Sequence, residues 1–184
     1  MAEAPAPRDE RITAATLELL RAKGPKAVTV EAVAALSGVA KTTIYRRYSN
    51  RGDMLTSSLS SIAEPGSPPD TATLPAVMRW VVEQSLHVVD ASIGPGGVAA
   101  LLTDDDPEFT TLIRSLLVQH RHRLSEALSR ALAAKAPRAD PDVETFLDMI
   151  VGAYLAEIAR SGSVRDDWSE RVLSVITTGA VPLD

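Results

Sequence analysis

The chain has 184 residues, 45% of them hydrophobic, and a formal net charge of −5 at pH 7. A chain of this length can bury a hydrophobic core without disulfides. It contains no cysteine, which excludes disulfides, thiolate metal sites and thiol nucleophiles. It shows neither the cationic start and apolar run of a signal peptide nor a stretch approaching about 18 uninterrupted apolar residues, so we expect a cytoplasmic protein with no membrane partner.

The charge is unevenly divided along the chain. Residues 1–55 contain nine Lys or Arg and six Asp or Glu, a balance of +3. Residues 56–184 contain ten basic and eighteen acidic side chains, a balance of −8. Because a phosphate contact depends on local charge, the acidic total does not exclude a nucleic-acid-binding protein. The pattern predicts a mildly basic head followed by an acidic body.

The first two predicted helices and the turn after them are defined by apolar spacing and capping residues. Residues 8–23 have apolar side chains at helical spacing, and Gly24 with the following proline ends the pattern. Thr29 is a good N-cap for a second helix over 30–37. Gly38 then supplies the positive φ that a tight turn requires. The order predicts two helices joined to a third by a glycine turn.

The third predicted helix, about 41–48, has two different faces. Val39, Ile44 and Tyr48 can face the core. The other side chains are cationic or carry hydroxyls: Lys41, Thr42, Thr43, Tyr45, Arg46 and Arg47. Such a face is what a helix needs to enter the major groove. For an isolated Arg-Arg pair a solvated surface is the commoner explanation, and the surrounding helix-turn-helix pattern is what favours DNA here.

The rest of the chain is predicted to be helical, giving an all-α protein of about nine helices. A fourth helix is expected from its N-cap Asn50 to Ile62, followed by a proline-rich linker over 63–73. Further on, residues 94–97, Gly-Pro-Gly-Gly, are expected to break the chain before a short apolar piece. A final helix is expected over about 166–178.

Two Asp-Pro-acid sequences are predicted to start helices in the body. Asp106-Pro107-Glu108 and Asp140-Pro141-Asp142 each place an aspartate at the N-cap and a proline at the first helical position. We therefore expect helices that begin at these two prolines, with Asp106 and Asp140 as their caps.

The segment 29–51 resembles the N-terminal domain of the TetR family of bacterial transcriptional regulators. The resemblance rests on the capping Thr29, on Ser37-Gly38-Val39, on Tyr45 to Tyr48, and on Arg51 opening the next helix. The family more often has Ala at position 37 and Phe at position 48. The resemblance implies a disordered arm over 1–7, a DNA-binding domain over 8–62 and a helical effector-binding and dimerisation domain over 74–184.

The resemblance also implies roles in DNA binding. Lys41, Thr42 and Thr43 are expected to meet base edges, whereas most of the others suit phosphate. Sequence does not fix the docking angle, so Arg46 or Arg47 could reach bases instead. The predicted DNA-binding residues are Thr29, Lys41, Thr42, Thr43, Tyr45, Arg46, Arg47, Tyr48 and Arg51.

Members of this family dimerise through their last two large helices, which implies a homodimer here. Small residues in the helix near 143–160 permit close helix approach, although packing within one chain explains them equally well. Two heads are needed to read two half-sites about one DNA turn apart. The candidate interface residues are Gly152, Ala153, Ala156, Ala159, Trp168, Val172 and Val175.

The family also holds a small-molecule effector among its middle helices. A pocket with a few polar groups in an apolar lining would suit such a ligand. Each candidate taken singly is more readily explained as core or surface, and no effector class follows from the set. The candidates are Trp80, Gln84, His87, Leu101, Phe109, Leu116, His120, Phe146, Ile150 and Tyr154.

An enzyme is the rival class and has little support. Glu83 and His87 lie four residues apart and could share a metal, but nothing completes a site. The acidic residues 104–106 are explained by helix capping. No Gly-rich phosphate loop or nucleophile motif is present, so no catalytic residue, metal or cofactor is predicted.

Together with these patterns, the resemblance implies a ligand-responsive regulator that binds a palindromic operator as a homodimer. A repressor released by a small molecule is the favoured form, with the fourth helix transmitting the effector's shift to the heads. The alternatives are a constitutive or activating regulator without effector, or a helical interaction module that no longer binds DNA.

Overall fold

The computed structural model describes residues 6–68, 73–135 and 142–179. These ranges contain helices and turns but no β-strand, which confirms the all-α prediction of about nine helices. A 3₁₀ turn follows the first helix at Pro25–Ala27, another lies at Ser60–Ala63, and His87–Ser92 is π-helical. The α-helices are α1 (Arg8–Lys23), α2 (Val30–Ser37), α3 (Lys41–Arg47), α4 (Arg51–Leu59), α5 (Leu74–Leu86), α6 (Gly94–Thr103), α7 (Pro107–Lys135), α8 (Val143–Ser161) and α9 (Trp168–Gly179).

Three predicted N-caps are confirmed. The Oγ1 of Thr29, the Oδ1 of Asn50 and the Oδ1 of Asp106 each accept a hydrogen bond from the amide three residues later, at 3.1, 2.8 and 3.1 Å. A helix N-terminus leaves these amides without an intrahelical partner, and the side-chain oxygens satisfy them. Short-range interactions therefore fix the starts of α2, α4 and α7.

The start of α8 differs from the prediction. The helix begins at Val143, and Asp142 rather than Asp140 is its N-cap. The Oδ1 of Asp142 accepts a hydrogen bond from the Thr145 amide at 2.9 Å, and its Oδ2 accepts one from the Thr145 hydroxyl at 2.5 Å. Asp142 is the cap because the residue three positions later, Thr145, donates to it from both its amide and its hydroxyl. Asp140 and Pro141 lie outside the described residues.

A chain break is predicted at the Gly-Pro-Gly-Gly segment, and the chain does bend just before it, where Gly94 has φ +60°, but the four residues themselves are helical. These residues form the first turn of α6, where Pro95 needs no intrahelical partner for its missing amide. A Cβ added at Gly96 would lie 2.6 Å from the Gly24 amide nitrogen and 2.7 Å from the Leu20 carbonyl oxygen. The glycine is there because α6 packs directly on the backbone at the end of α1.

The chain divides into two compact units. One comprises Met1–Glu64 and Val88–Gln119, the other Pro65–His87 and His120–Asp184. The predicted DNA-binding domain, 8–62, lies within the first unit, which also includes α6 and the first part of α7. The functional boundary between the domains remains a prediction. Of the predicted arm, linker and C-terminus, residues 1–5, 69–72 and 180–184 lie outside the described residues.

The first unit is built on one hydrophobic core that joins the head to α6 and α7. Helix α1 contacts α2, α4 and α6. The guanidinium of Arg21 also donates to the Ala91 carbonyl oxygen at 2.5 Å, just before α6. The largest fully buried side chains of the unit are Ile12, Leu20, Val28, Ile44, Met54, Leu55, Leu59, Ile62, Phe109 and Ile113.

The second unit contains α5, the second part of α7, α8 and α9. Arg121 bonds to Glu144 and, at 2.5 Å, to Asp148, which joins α7 to α8. Helix α5 is joined to α9 by the ion pair of Arg79 with Glu170. The hydrogen bond from Arg121 keeps the pKa of Glu144 below its usual 4.5, and the bond from Arg79 does the same to the pKa of Glu170.

The described residues contain no single helix that is both long and apolar enough to cross a membrane. The segments Leu74–Ser92 and Gly94–Thr103 taken together have the length and composition of a membrane span, but the chain bends sharply between them. In the same ranges no group of three or more His, Cys, Asp or Glu side chains is placed to hold a metal ion.

Candidate nucleic-acid interface

The turn between α2 and α3 has the geometry that the sequence predicts. Gly38 closes α2 with φ +66°, a left-handed conformation that favours glycine. The guanidinium of Arg11 donates to the Ser37 carbonyl oxygen and would lie 2.8 Å from a Cβ at position 38. Val33 from α2 and Ile44 from α3 are fully buried. The core below and the arginine beside the turn fix how α3 is presented.

The outward face of α3 is cationic and rich in hydroxyls. Thr43 is half-buried, and Tyr45 is 55% exposed. Exposed cations and hydroxyls on one face of a short helix can donate to base edges and to phosphate oxygens. The exposed residues of this face are Lys41, Thr42, Tyr45, Arg46 and Arg47.

Two cations of this face have carboxylate partners. The Nζ of Lys41 lies 3.4 Å from the Oε1 of Glu31, and the Nε of Arg47 lies 3.4 Å from the Oδ2 of Asp9. A backbone hydrogen bond, and then the bond from Lys41, lower the pKa of Glu31. All four side chains are exposed, and such pairs contribute little to stability. A phosphate can therefore replace the carboxylates at small cost.

Thr29, Tyr48 and Arg51 are placed differently from the other predicted DNA-binding residues. Thr29 is exposed, and its hydroxyl oxygen is engaged in the α2 cap. Tyr48 is only 5% exposed and belongs to the core. The guanidinium of Arg51 is bonded to two backbone carbonyls and two carboxylates. Tyr48 and Arg51 therefore have partners within the head, and DNA contact by Thr29, Tyr48 and Arg51 remains a prediction.

Comparison with known proteins agrees with this geometry. Residues 12–57 match the family model described as bacterial regulatory proteins, tetR family. The uncharacterized HTH-type transcriptional regulator YdeS of Bacillus subtilis (strain 168) is 27% identical over 175 residues, which are 88% of this chain and 85% of YdeS. Over residues 12–57 the chain has the N-terminal domain of the TetR family. It is accordingly a DNA-binding transcriptional regulator and not an enzyme, as the sequence predicts.

Two solved structures share this fold over more than nine-tenths of the chain. The TetR family transcription regulator SCO0332 superposes with a TM-score of 0.62 at 26% identity, covering 95% of this chain and 99% of that one. The transcriptional regulator FadR from Bacillus subtilis, solved in complex with stearoyl-CoA, superposes with a TM-score of 0.64 at 20% identity, covering 92% and 98%. The second likeness is one of fold alone.

The predicted effector residues fall in both compact units. Leu101, Phe109 and Leu116 belong to the first unit, and the other seven belong to the second. His87 is exposed, and Gln84, Leu101 and Phe146 are half-buried. Ligand contact by this set remains a prediction. The buried members are Trp80, Phe109, Leu116, His120, Ile150 and Tyr154.

Four of the predicted dimer residues line one groove on the second unit. The groove has a volume of about 250 Å³ and lies between α8 and α9. Met149 and Val175, at its margin, are 59% and 70% exposed. The predicted residues Gly152, Ala156 and Ala159 are exposed on α8, whereas Trp168 is buried with its ring edge-on to Tyr154 at 5.5 Å. The lining residues are Met149, Ala153, Glu157, Trp168, Arg171, Val172, Val175 and Ile176.

Some ion-pair partners of the predicted DNA-binding residues could not be predicted from the sequence. The sequence explains Glu31 only as a helix first-turn acid, and Asp106 and Glu108 only as helix-start residues. Their cationic partners are Lys41 and Arg51. The sequence gives no sign of these pairs beyond the acids at 104–108, which helix capping also explains.

Proposed function

We propose that the chain is a homodimeric repressor that binds a palindromic operator through α3 and is released by a small molecule. The observation that carries the DNA-binding part is the exposed cationic and hydroxyl face of α3 over a fully buried Ile44. In this proposal Lys41, Thr42 and Thr43 select the sequence, and Tyr45, Arg46 and Arg47 hold phosphate.

The homodimer is supported by the face of α8 and α9. Met149 and Val175 expose large apolar side chains beside the small residues Gly152, Ala153 and Ala156, and a Cβ added at Gly152 would meet no atom within 4 Å. Large exposed apolar side chains next to small ones suit close packing of two identical helix pairs. A homodimer has two copies of α3, which reading two half-sites about 34–36 Å apart on one side of the duplex requires.

A small-molecule effector is supported by the FadR structure, which holds stearoyl-CoA in the same fold. A long-chain acyl-CoA is therefore the first ligand to test. To release DNA, the effector must bind the state that is unable to bind the operator more tightly than the state that binds it.

The test begins with selection of duplexes from a random library by the purified protein. We expect a near-palindromic site, bound by two chains in light scattering combined with a mobility-shift assay. Arg46→Ala should weaken binding to the selected site and to random duplex alike, whereas Thr42→Ala should chiefly reduce the preference for the selected site.

The effector arm titrates stearoyl-CoA into the preformed complex, with free coenzyme A as the matched control. We expect release by the acyl-CoA alone. Selection without an enriched sequence would refute specific operator recognition, and a protein that remains a monomer when bound would refute the dimer. Binding of stearoyl-CoA without any change in operator affinity would refute release by that ligand.

A further inference from the structure

Arg51 stands at the first position of α4, and its guanidinium is turned into the first unit. Its Nε donates to the Val28 carbonyl oxygen at 3.0 Å, and its Nη2 donates to the Pro25 carbonyl oxygen at 2.7 Å. Nη2 also lies 2.5 Å from the Oδ2 of Asp106, and Nη1 lies 3.1 Å from the Oε2 of Glu108. The side chain is 24% exposed, so the charge is largely removed from solvent.

Asp106 uses its two oxygens for two different tasks. Oδ1 accepts the Phe109 amide and caps α7, while Oδ2 accepts from Arg51. The side chain is only 10% exposed, and a carboxylate in that position is costly unless it is paired. Arg51 thus joins three segments: the turn before α2, the start of α4 and the start of α7.

The surroundings of this network are arranged to admit it. A Cβ added at Gly52 would overlap the Oε1 of Glu108, so the absence of a side chain leaves room for that carboxylate. Beside it, the Nζ of Lys26 lies 3.6 Å from the Oδ2 of Asp105 as a second, exposed ion pair. The acids that begin α7 therefore face the cations of the head.

A phosphate contact by Arg51 would dismantle this network. The guanidinium would have to leave two carbonyls and two carboxylates, and Asp106 would remain buried without its cation. Breaking a buried pair by removing one partner is strongly unfavourable. A phosphate in solvent offers less than the partners already in place.

We propose that Arg51 is a positioning residue, which ties the helix-turn-helix to the turn between α6 and α7 and so holds α3 in the orientation that binds DNA. It acts through the turn that leads into α2 and the start of the helix that follows α3, and it does not contact phosphate. This role rests on DNA binding through α3 as proposed above.

Four variants separate a positioning role from a phosphate contact. Arg51→Ala removes the guanidinium. Arg51→Lys keeps a cation that can reach phosphate but lacks the planar fork. Asp106→Asn removes the opposite charge while keeping a side chain that caps helices well. Arg46→Ala, on the exposed face of α3, is the control for a side chain that binds phosphate directly. Affinity for the selected operator is measured by fluorescence anisotropy over a range of salt concentrations, with thermal unfolding as the check that each variant is folded.

For a positioning residue, Arg51→Ala, Arg51→Lys and Asp106→Asn should each weaken operator binding by about tenfold without changing the salt slope. The double variant Arg51→Ala/Asp106→Asn should lose no more operator affinity than the single variant that binds more weakly, because both substitutions break the same ion pair. Arg46→Ala should instead lower the slope of log affinity against log salt by about 0.9 for each phosphate that the side chain no longer neutralises.

Three results would overturn the positioning role while leaving operator binding through α3 intact. These are a slope lowered by Arg51→Ala as much as by Arg46→Ala, parental affinity in Arg51→Lys, and an Asp106→Asn protein that binds the operator as tightly as the parent or more tightly. If the parent protein binds no duplex, the proposed function fails, and the positioning role fails with it.

Discussion

Replacing Gly96 by alanine should destabilise the first unit, although alanine is the better helix former. The added Cβ would lie 2.6 Å from the Gly24 amide nitrogen, 2.7 Å from the Leu20 carbonyl oxygen and 2.8 Å from the Arg21 carbonyl oxygen. All three are backbone atoms at the end of α1, so none can turn aside as a flexible side chain would. Helix α6 has to move away from α1.

The size of the effect follows from two opposing contributions. Alanine within a helix gains up to about 1 kcal/mol over glycine. Forcing an extra carbon into close-packed surroundings costs about 1–3 kcal/mol, and rigid backbone neighbours place this site at the upper end of that range. We expect a net loss of about 2 kcal/mol, which lowers the midpoint of thermal unfolding by roughly 4–8 °C for a chain of this length.

The assay is thermal unfolding followed by circular dichroism, with Gly66→Ala as the matched control. A Cβ at Gly66 would meet no atom within 4 Å, so the same substitution there should change the unfolding free energy by less than about 0.5 kcal/mol. A Gly96→Ala protein as stable as its parent would show that α1 and α6 do not approach each other through their backbones, and the explanation given for the Gly-Pro-Gly-Gly sequence would be refuted.

Three further predictions concern the other helices. Thr29→Ala should cost about 1 kcal/mol in urea unfolding by removing the α2 cap, and Thr29→Ser should not. Because Arg79 lowers the pKa of Glu170, the folded state binds fewer protons there than the unfolded state. The pair therefore stabilises the protein above pH 4.5, and this stabilisation is lost as the pH falls through the lowered pKa. Glu170→Gln should lose less stability between pH 7 and pH 4 than its parent does. Met149→Glu should yield monomers in light scattering, whereas Leu102→Glu, at a still more exposed site on α6, should leave the oligomeric state unchanged.

The features that could be predicted from sequence are those determined within a few residues. Thr29 and Asn50 cap helices by accepting a hydrogen bond from the amide three residues later, and the left-handed φ at position 38 favours glycine. The cationic face of α3 is likewise visible from spacing alone. Each of these depends on local geometry that the residue types themselves specify.

Long-range contacts explain what could not be predicted. In the sequence Gly96 is typical of a chain break. Only the structure shows that it lies against the backbone at the end of α1, where its neighbour Gly24 is 72 residues earlier in the chain. The division between the compact units falls inside α7, after Gln119, within one continuous helix. Asp106 is correctly predicted as a cap because its Oδ1 acts locally, while the partner of its Oδ2 is 55 residues away.

Three cations of the head, Lys41, Arg47 and Arg51, differ in their burial. Lys41 and Arg47 have carboxylate partners at 3.4 Å, but these pairs are exposed and screened, so exchanging a carboxylate for phosphate loses little. Arg51 has two carboxylates and two carbonyls around a largely buried guanidinium, and the same exchange would strand Asp106. Sequence alone predicts a DNA contact for all three. Their surroundings leave two of them exposed, as the proposed DNA contacts require, and surround the third with four partners, as the proposed positioning role requires.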